Sequence, residues 1–343
     1  MNGKLNEVYI KNTSLVVGPL EAKSNYAKYF DKTYNNYNLD KSFELSEVKL
    51  TNDAIDILLK KTKTKKEAID LFVGGDLTNQ ICSTSYSFNK YKRPYLGVFS
   101  ACATSVESLI VASQFIENKI INKAICTTSS HNLVEEKQFR NPIEYGYTKP
   151  KTATFTSTGA SAIMLTNEKT EVKLTNYTIG KIVDLNQKDP NNVGAAMAPA
   201  AADTIYNHLI KNKRKFTDYD LILTGDLGIY GKQILIDYMK KQYKITVENY
   251  NDCGAMLYDL EKQTEITAGG SGPVCSTLIN YGFVYDMLKK KKFKRVLLVA
   301  TGALYSSTFI FQKQNIISIA HAIELEATLW HIFTHLYFVV SFV

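Results

Sequence analysis

Short apolar runs that end in small residues alternate along this chain with longer stretches whose apolar positions recur every three or four residues. The runs predict buried strands at Thr13–Val17, Asp70–Val73, Tyr95–Phe99, Lys123–Thr128 and Ser161–Thr166, and again at Asp220–Thr224 and Arg295–Thr301. Helices are expected over Leu45–Lys60, Cys102–Asn118, Pro199–Lys211, beyond Gly231, and over Gly272–Lys289. In the last of these Leu278, Tyr281, Tyr285 and Leu288 fall at i, i+3, i+7 and i+10, one apolar face turned to a sheet. Strands alternating with helices imply α/β architecture, with largely parallel sheets covered on both faces.

The pattern also repeats. Ile69-Asp70-Leu71-Phe72-Val73-Gly74-Gly75-Asp76-Leu77 returns as Tyr219-Asp220-Leu221-Ile222-Leu223-Thr224-Gly225-Asp226-Leu227, 150 residues on, and Ser100–Ser130 returns as Gly272–Gly302, 172 residues on. Two matches in the same order at slightly different offsets imply a duplicated unit with an insertion. The period is too long for a solenoid and suits two α/β halves about a pseudo-twofold axis, expected over 1–168 and 169–325 with an atypical apolar tail at 326–343.

Composition narrows the class. At 343 residues, 45% apolar and 22% charged, the chain can bury a sizeable core. Cysteines 82, 102, 126, 253 and 275 are odd in number and unevenly spaced, which points to a reducing compartment, and no Cys-x-x-Cys metal pattern occurs. Residues Met1–Glu7 have no apolar core, so no signal peptide is expected. The net charge of +8 resides largely in Lys60–Lys66, Lys211–Lys215 and Lys289–Lys292, just after predicted helices, where the helix dipole favours cations. An anionic membrane or an acidic partner is the other reading. Nucleic acid is not expected, because no recognition motif accompanies the charge.

Cys102 is the main chemical candidate. In Gly97-Val98-Phe99-Ser100-Ala101-Cys102-Ala103-Thr104-Ser105 a strand turns through small residues into a helix, placing a thiol on its first turn, where unpaired N–H groups and the dipole favour thiolate. The same residue also reads as a small buried hydrophobe. His131, after the next strand, is the candidate base, or else a loop histidine bonded to backbone. His208 and His321 read as structural, and His331 and His335 lie in the tail.

A duplicated α/β unit with a cysteine opening the central helix of its first half resembles the thiolase and beta-ketoacyl synthase superfamily. The resemblance implies a thiolase-like fold layered α-β-α-β-α, and a homodimer formed by extending sheets side by side. Phe30–Tyr34, Gly75–Gln80, Gly97–Ser105, Thr128–Asn132, Ala196–Thr204, Thr224–Leu227, Ala268–Gly272 and Ala300–Leu304 resemble one sporulation branch of it, over residues 10–325. That branch implies a spore-forming bacterium and a part in moving dipicolinic acid, as its calcium chelate, across the spore inner membrane. It also implies peripheral attachment on the cytoplasmic face, alongside other proteins of a transport complex.

Condensing enzymes of this superfamily pair their cysteine with two histidines or a histidine and an asparagine from the second half. Here those places hold Thr224-Gly225-Asp226 and Ala268-Gly269-Gly270-Ser271. Threonine and glycine offer nothing that titrates near neutrality, and an ionised Asp226 would repel an oxyanion. The resemblance therefore implies binding without catalysis. The rival is an acyltransferase using Cys102, with His131 as base. A pyridine dicarboxylate needs donors at two points and an apolar wall; the candidates are the Cys102 and Ala103 amides, His131, Arg140 and Lys149 with Tyr145 and Tyr147, and the Gly269, Gly270 and Gly272 backbone. Asp76 and Asp226 read either as calcium contacts or as turn caps. No further cofactor is expected. Leu329–Val343 supplies about fifteen mostly apolar residues, short of the roughly 20 that span a bilayer.

Overall fold

The computed structural model describes residues 1–139 and 148–328. Ten strands build the main sheet: β1 Asn2–Val17, β2 Leu71–Gly75, β3 Tyr95–Gly97, β4 Lys123–Ser130, β5 Gly159–Thr166, β6 Val172–Ile179, β7 Leu221–Thr224, β8 Tyr250–Asp252, β9 Arg295–Leu304 and β10 Ile317–Ala327. Lys32–Thr33 adds a short parallel partner to β1. The spatial order is β8-β7-β9-β10-β6-β1-β5-β4-β2-β3. Cut between β6 and β1, it yields two five-stranded sets in the same order, with β6 to β10 repeating β1 to β5. The intervals read from the sequence survive in the elements: β2 and β7 open at Leu71 and Leu221, β4 and β9 at Lys123 and Arg295.

Pairing is parallel within each βαβ wing, β3-β2-β4 and β8-β7-β9. It is antiparallel across the centre, from β4 through β5, β1, β6 and β10 to β9. Alternation alone pointed to parallel sheets; β10, whose apolar positions were not read as a strand, supplies two of the antiparallel pairs. β1 joins the halves because it is long. Its first residues pair with β6 and its later ones with β5, with the register slipping near Asn12.

Three apolar clusters define the layers. The central one packs helix α3, Thr104–Glu117, and helix α8, Pro273–Lys289, between strands of both halves. Helices α1, Phe43–Thr62, and α2, Cys82–Asn89, cover the outer face of the first half through Phe72, Ile125 and Met164. Helices α5, Val193–Lys211, and α6, Gly228–Tyr238, cover the second through Ile222, Leu297 and Val299. Successive strand residues face opposite ways, so Phe72 packs outward while Leu71 and Val73 face the centre. The layering is therefore α-β-α-β-α, as the resemblance implied.

Two helix starts and the interior of a third helix differ from the sequence expectation. Helix α3 starts at Thr104, so Cys102 lies in the turn ahead of the helix and not on its first turn. Helix α5 starts at Val193 and carries Pro199 inside, six residues before the expected start; proline at N1 is only the commonest of its helical places. Helix α8 widens into a π-helical segment at Ile279–Val284, where Gly282 lies so close to Tyr29 that an added Cβ would stand 2.9 Å from the tyrosine Cβ. Among the described residues no helix is long and apolar enough to cross a membrane.

Candidate functional site

The turn before α3 is held rigidly. The Ala103 N–H donates to Ser100 O at 3.0 Å, Thr104 N–H to Ala101 O at 3.2 Å, and Ser100 N–H to Thr104 Oγ1 at 2.9 Å. Ala101 adopts φ 50°, a left-handed conformation costly for a residue with a Cβ. The turn also rests on β9 at Gly302, where a Cβ would stand 2.2 Å from Ser100 O. Only glycine permits that approach, and it fixes the half-exposed Cys102 against the second half.

Cys102 opens on a cavity of about 50 Å³ with Glu135, Thr156 and Ser271 as its other polar lining. Leu77, Phe139, Met197 and Tyr305 form an apolar and aromatic wall. Phe99 and Tyr305 also line a neighbouring depression of about 510 Å³.

Asp226 organises the floor. This fully buried carboxylate accepts Thr301 Oγ1–H at 2.6 Å on one oxygen, and Ser271 Oγ–H at 3.0 Å and Gly272 N–H at 3.1 Å on the other. The Cys102 thiol also donates to it. Burial pushes the Asp226 carboxyl above its ordinary value, while these four donors pull the other way. A thiolate there would face a like charge. That is the reverse of the activation a cysteine nucleophile needs.

Glu135 is the functional residue that the sequence reading missed. It belongs to helix α4, Asn132–Phe139, and one oxygen accepts the His131 N–H at 2.9 Å while the other, buried, has no partner. Burial, with the neighbouring Glu47 charge next, pushes its carboxyl well above the usual range. The only local hint was an acidic residue in the first turn of α4, where the helix dipole favours it; its burial is a tertiary fact.

The other expected residues distribute unevenly. His131 is fully buried away from the cavity: its Nε2 lies 3.0 Å from Tyr37 O and its ring stacks on Phe43 at 5.4 Å. Burial lowers its pKa. A base for Cys102 must face the thiol, and His131 instead packs beneath α1. The Ala103 amide is consumed by the turn. Gly270 and Ser271 pair in parallel with Phe155 and Thr156, Gly269 O accepts Phe155 N–H, and Gly272 gives its N–H to Asp226, so this backbone serves the protein itself. Lys149 pairs with Glu136 at 3.0 Å and lies over the Phe155 ring. Arg140, Tyr145 and Tyr147 lie outside the described residues.

Asp76 accepts the N–H and hydroxyl groups of both Thr78 and Thr84, which fills its two oxygens. It braces its turn. Among the described residues no cluster of three or more His, Cys, Asp or Glu side chains could hold a metal ion. His208 bonds Thr178 Oγ1 at 2.8 Å and His321 accepts Gly180 N–H at 3.2 Å, both structural placements.

Comparison with known proteins follows the same geometry. The family described as stage V sporulation protein AD matches residues 4–326. Stage V sporulation protein AD of Bacillus subtilis (strain 168) is 41% identical over 320 residues, 93% of this chain and 94% of that protein. Among solved structures, Xanthomonas campestris OleA E117D superposes with a TM-score of 0.62 at 11% identity, covering 94% of this chain and 97% of that one. Human mitochondrial 3-ketoacyl-CoA thiolase in complex with CoA gives 0.58 at 11%, covering 94% and 98%. The 3-oxoacyl-[acyl-carrier-protein] synthase III of Aquifex aeolicus VF5 gives 0.57 at 12%, covering 93% and 99%. At these identities the structures establish a shared fold.

Proposed function

The chain belongs to the stage V sporulation protein AD family, and from that premise we propose that it serves sporulation by binding dipicolinate without catalysis. The binding would be to the free acid or its calcium chelate, within a transport complex on the cytoplasmic face of the spore inner membrane. One observation carries the reading: among the described residues no histidine lines the cavity beside Cys102. A condensing enzyme needs a free nucleophile, a base and an oxyanion partner. This cavity offers a thiol in a braced turn, one carboxyl group and the Thr156 and Ser271 hydroxyls.

The lining suits a flat ring with polar ends. Phe99, Phe139 and Tyr305 supply the wall, while Thr156 and Ser271 hydroxyls supply hydrogen bonds. Glu135 is the carboxyl in the lining that meets the charge of the ligand. A carboxyl in the lining opposes a free dianion unless it is protonated, whereas a calcium chelate brings its own cation and removes the conflict. The chelate is thus the better fit. The partners in this reading are other proteins of the complex and a second copy of the chain, added through the edge strand β3, where Leu96 and Gly97 are exposed.

Isothermal titration with dipicolinate, with and without calcium, tests the binding. Saturation that strengthens with calcium is expected; no heat at millimolar ligand, against saturation by an acyl-coenzyme A, overturns it. Intact-mass spectrometry after incubation with acyl thioesters tests the acyltransferase rival, which requires an adduct that Cys102→Ala abolishes. For the second copy, sedimentation should show a dimer at micromolar concentration, and a lone monomer would count against it.

A further inference from the structure

Two buried glutamates beside the cavity carry a charge problem that no cation near them solves. Glu47 belongs to α1 and Glu135 to α4, two helices that touch. Both side chains are shut off from solvent. Each carboxyl has one oxygen in use: Glu47 Oε1 accepts Ser129 Oγ–H from β4 at 2.7 Å, and Glu135 Oε2 accepts the His131 N–H at 2.9 Å. The remaining oxygen of each, Glu47 Oε2 and Glu135 Oε1, is buried and has no hydrogen-bond partner.

The groups that face the pair do not neutralise it. Asp76, in the turn after β2, takes its donors from Thr78 and Thr84 and adds its own charge against both glutamates. Glu44, one turn before Glu47, is paired with Lys137 of α4 at 2.6 Å, and Glu136 is paired with Lys149 at 3.0 Å, so these two lysines are taken. The His131 ring turns to Tyr37 O and to Phe43, and burial disfavours its cation. From α2 the Ser83 hydroxyl offers Glu47 only a neutral donor. Among the described residues no lysine or arginine pairs with Asp76, Glu47 or Glu135.

Two ionised carboxylates only accept hydrogen bonds, so they cannot bond each other, and inside a protein they repel strongly. One proton reverses this. A protonated carboxyl donates to an ionised one in a short, charge-assisted hydrogen bond, the arrangement open to two carboxyls that share a site. It would use both leftover oxygens at once. Burial, and then the Glu47 charge, pushes Glu135 well above the usual range; burial, and then the Asp76 charge, does the same to Glu47.

We propose that Glu47 and Glu135 share a single proton across the α1–α4 contact, and that this bridge is a pH-sensitive latch for the cavity wall that α4 carries. Glu135 and Phe139 of α4 both line the Cys102 cavity. Asp76 is braced in its turn, and Glu47 sits in a helix of 20 residues packed on the sheet, so repulsion after loss of the proton falls on α4, which has 8. The inference is independent of which ligand the cavity takes. In the unfolded chain both carboxyls ionise near about 4.3. The folded pair keeps its proton above that, so the bridge stabilises fully below about pH 4 and its contribution is lost as pH rises through the raised folded value.

Urea unfolding of the full chain from about pH 5 to about pH 9 counts the protons taken up on folding, because the slope of stability against pH gives their number. Glu47→Gln, Glu135→Gln and the double variant should each lower that count by about one. The double should lose no more than either single, since one amide N–H in place of the shared proton already removes it. Glu44→Gln breaks the ion pair between the same two helices and should leave the count unchanged. Hydrogen exchange of α4, divided by the intrinsic rate at each pH, should rise roughly ten-fold over the window in the parent and stay level in Glu135→Gln. A double variant that loses twice what each single loses would make the two acids independent and overturn the proposal. So would a count unchanged in all three variants, or an equal rise of α4 exchange in the parent and Glu135→Gln. Level α4 exchange in the parent overturns it without any variant.

Discussion

Asp226 shows how one side chain decides what its neighbours can do. Its carboxylate gathers a threonine from β9, the serine and amide of the 271–272 turn, and the Cys102 thiol. Asp226→Ala leaves these buried donors without an acceptor, and each such loss costs about 1–3 kcal/mol. The variant should lose roughly 2–4 kcal/mol in urea unfolding, with the Cys102 thiol alkylating faster once released from its acceptor. An unchanged alkylation rate would separate the thiol from this network. Cys102, Asp226 and the glycine turn were legible as positions, because a strand that turns abruptly through small residues announces a site. Their roles were not. The sequence placed Cys102 on a helix and His131 in the cleft, yet the thiol lies in a strained turn and the imidazole stacks on Phe43. Glu135 went unread because burial of a glutamate leaves no mark on the local pattern.

Elements were easier to read than their ends. Every strand taken from an apolar run is present, because a buried strand must be apolar whatever surrounds it, though β1 starts at Asn2, eleven residues before the expected Thr13. The errors arise where packing overrides local preference. Helix α5 runs through Pro199 because its alanine-rich face is pressed against β9, β10 and α6, and tertiary burial outweighs one lost backbone hydrogen bond. Strand β10 was missed because Ile317–Ala327 carries buried Glu324 and His321, polar groups that break an apolar run yet are paired inside, Glu324 with Thr175, Tyr219 and Arg214. The crossing of α5 and α6 depends on two glycines. A Cβ on Gly194 would stand 2.2 Å from Leu227 O, and one on Gly231 would stand 2.8 Å from Gly194 O. Backbone cannot yield as a flexible side chain can. Gly194→Ala should therefore force the helices apart and cost about 1–3 kcal/mol, whereas helix propensity alone predicts a gain of up to about 1 kcal/mol. The sign of the shift in the urea midpoint decides between packing and propensity.

At the scale of the molecule, the duplication was visible from two intervals, and the joining of the halves was not, because it depends on how far β1 extends and on β10. The assembled interior carries an unusual load of carboxyl groups. Glu21, Glu47, Glu135, Asp226 and Asp252 are all buried and all pushed upward, first by burial. Glu21, which takes hydrogen bonds from Tyr258 and the Thr158 amide, rises to about 7, and so does Asp252. A carboxyl whose folded value lies above its unfolded one binds more protons when folded. Its contribution is fully present below about pH 4 and is lost as pH rises through about 7. His321, held down to about 4 by burial and by the N-terminal charge, acts oppositely, losing stability as pH falls below about 6.5. Above pH 6.5 only the carboxyls act, so stability should fall from pH 6.5 to pH 8. Glu21 alone contributes about 1 kcal/mol of that fall. Glu21→Gln keeps the acceptor for Tyr258 and removes the titration, so its urea midpoint should decline less than that of the parent over the same window. Parallel declines in the two proteins would mean that Glu21 is already ionised in the fold at pH 6.5, and that its unpartnered oxygen is stabilised by something other than a proton.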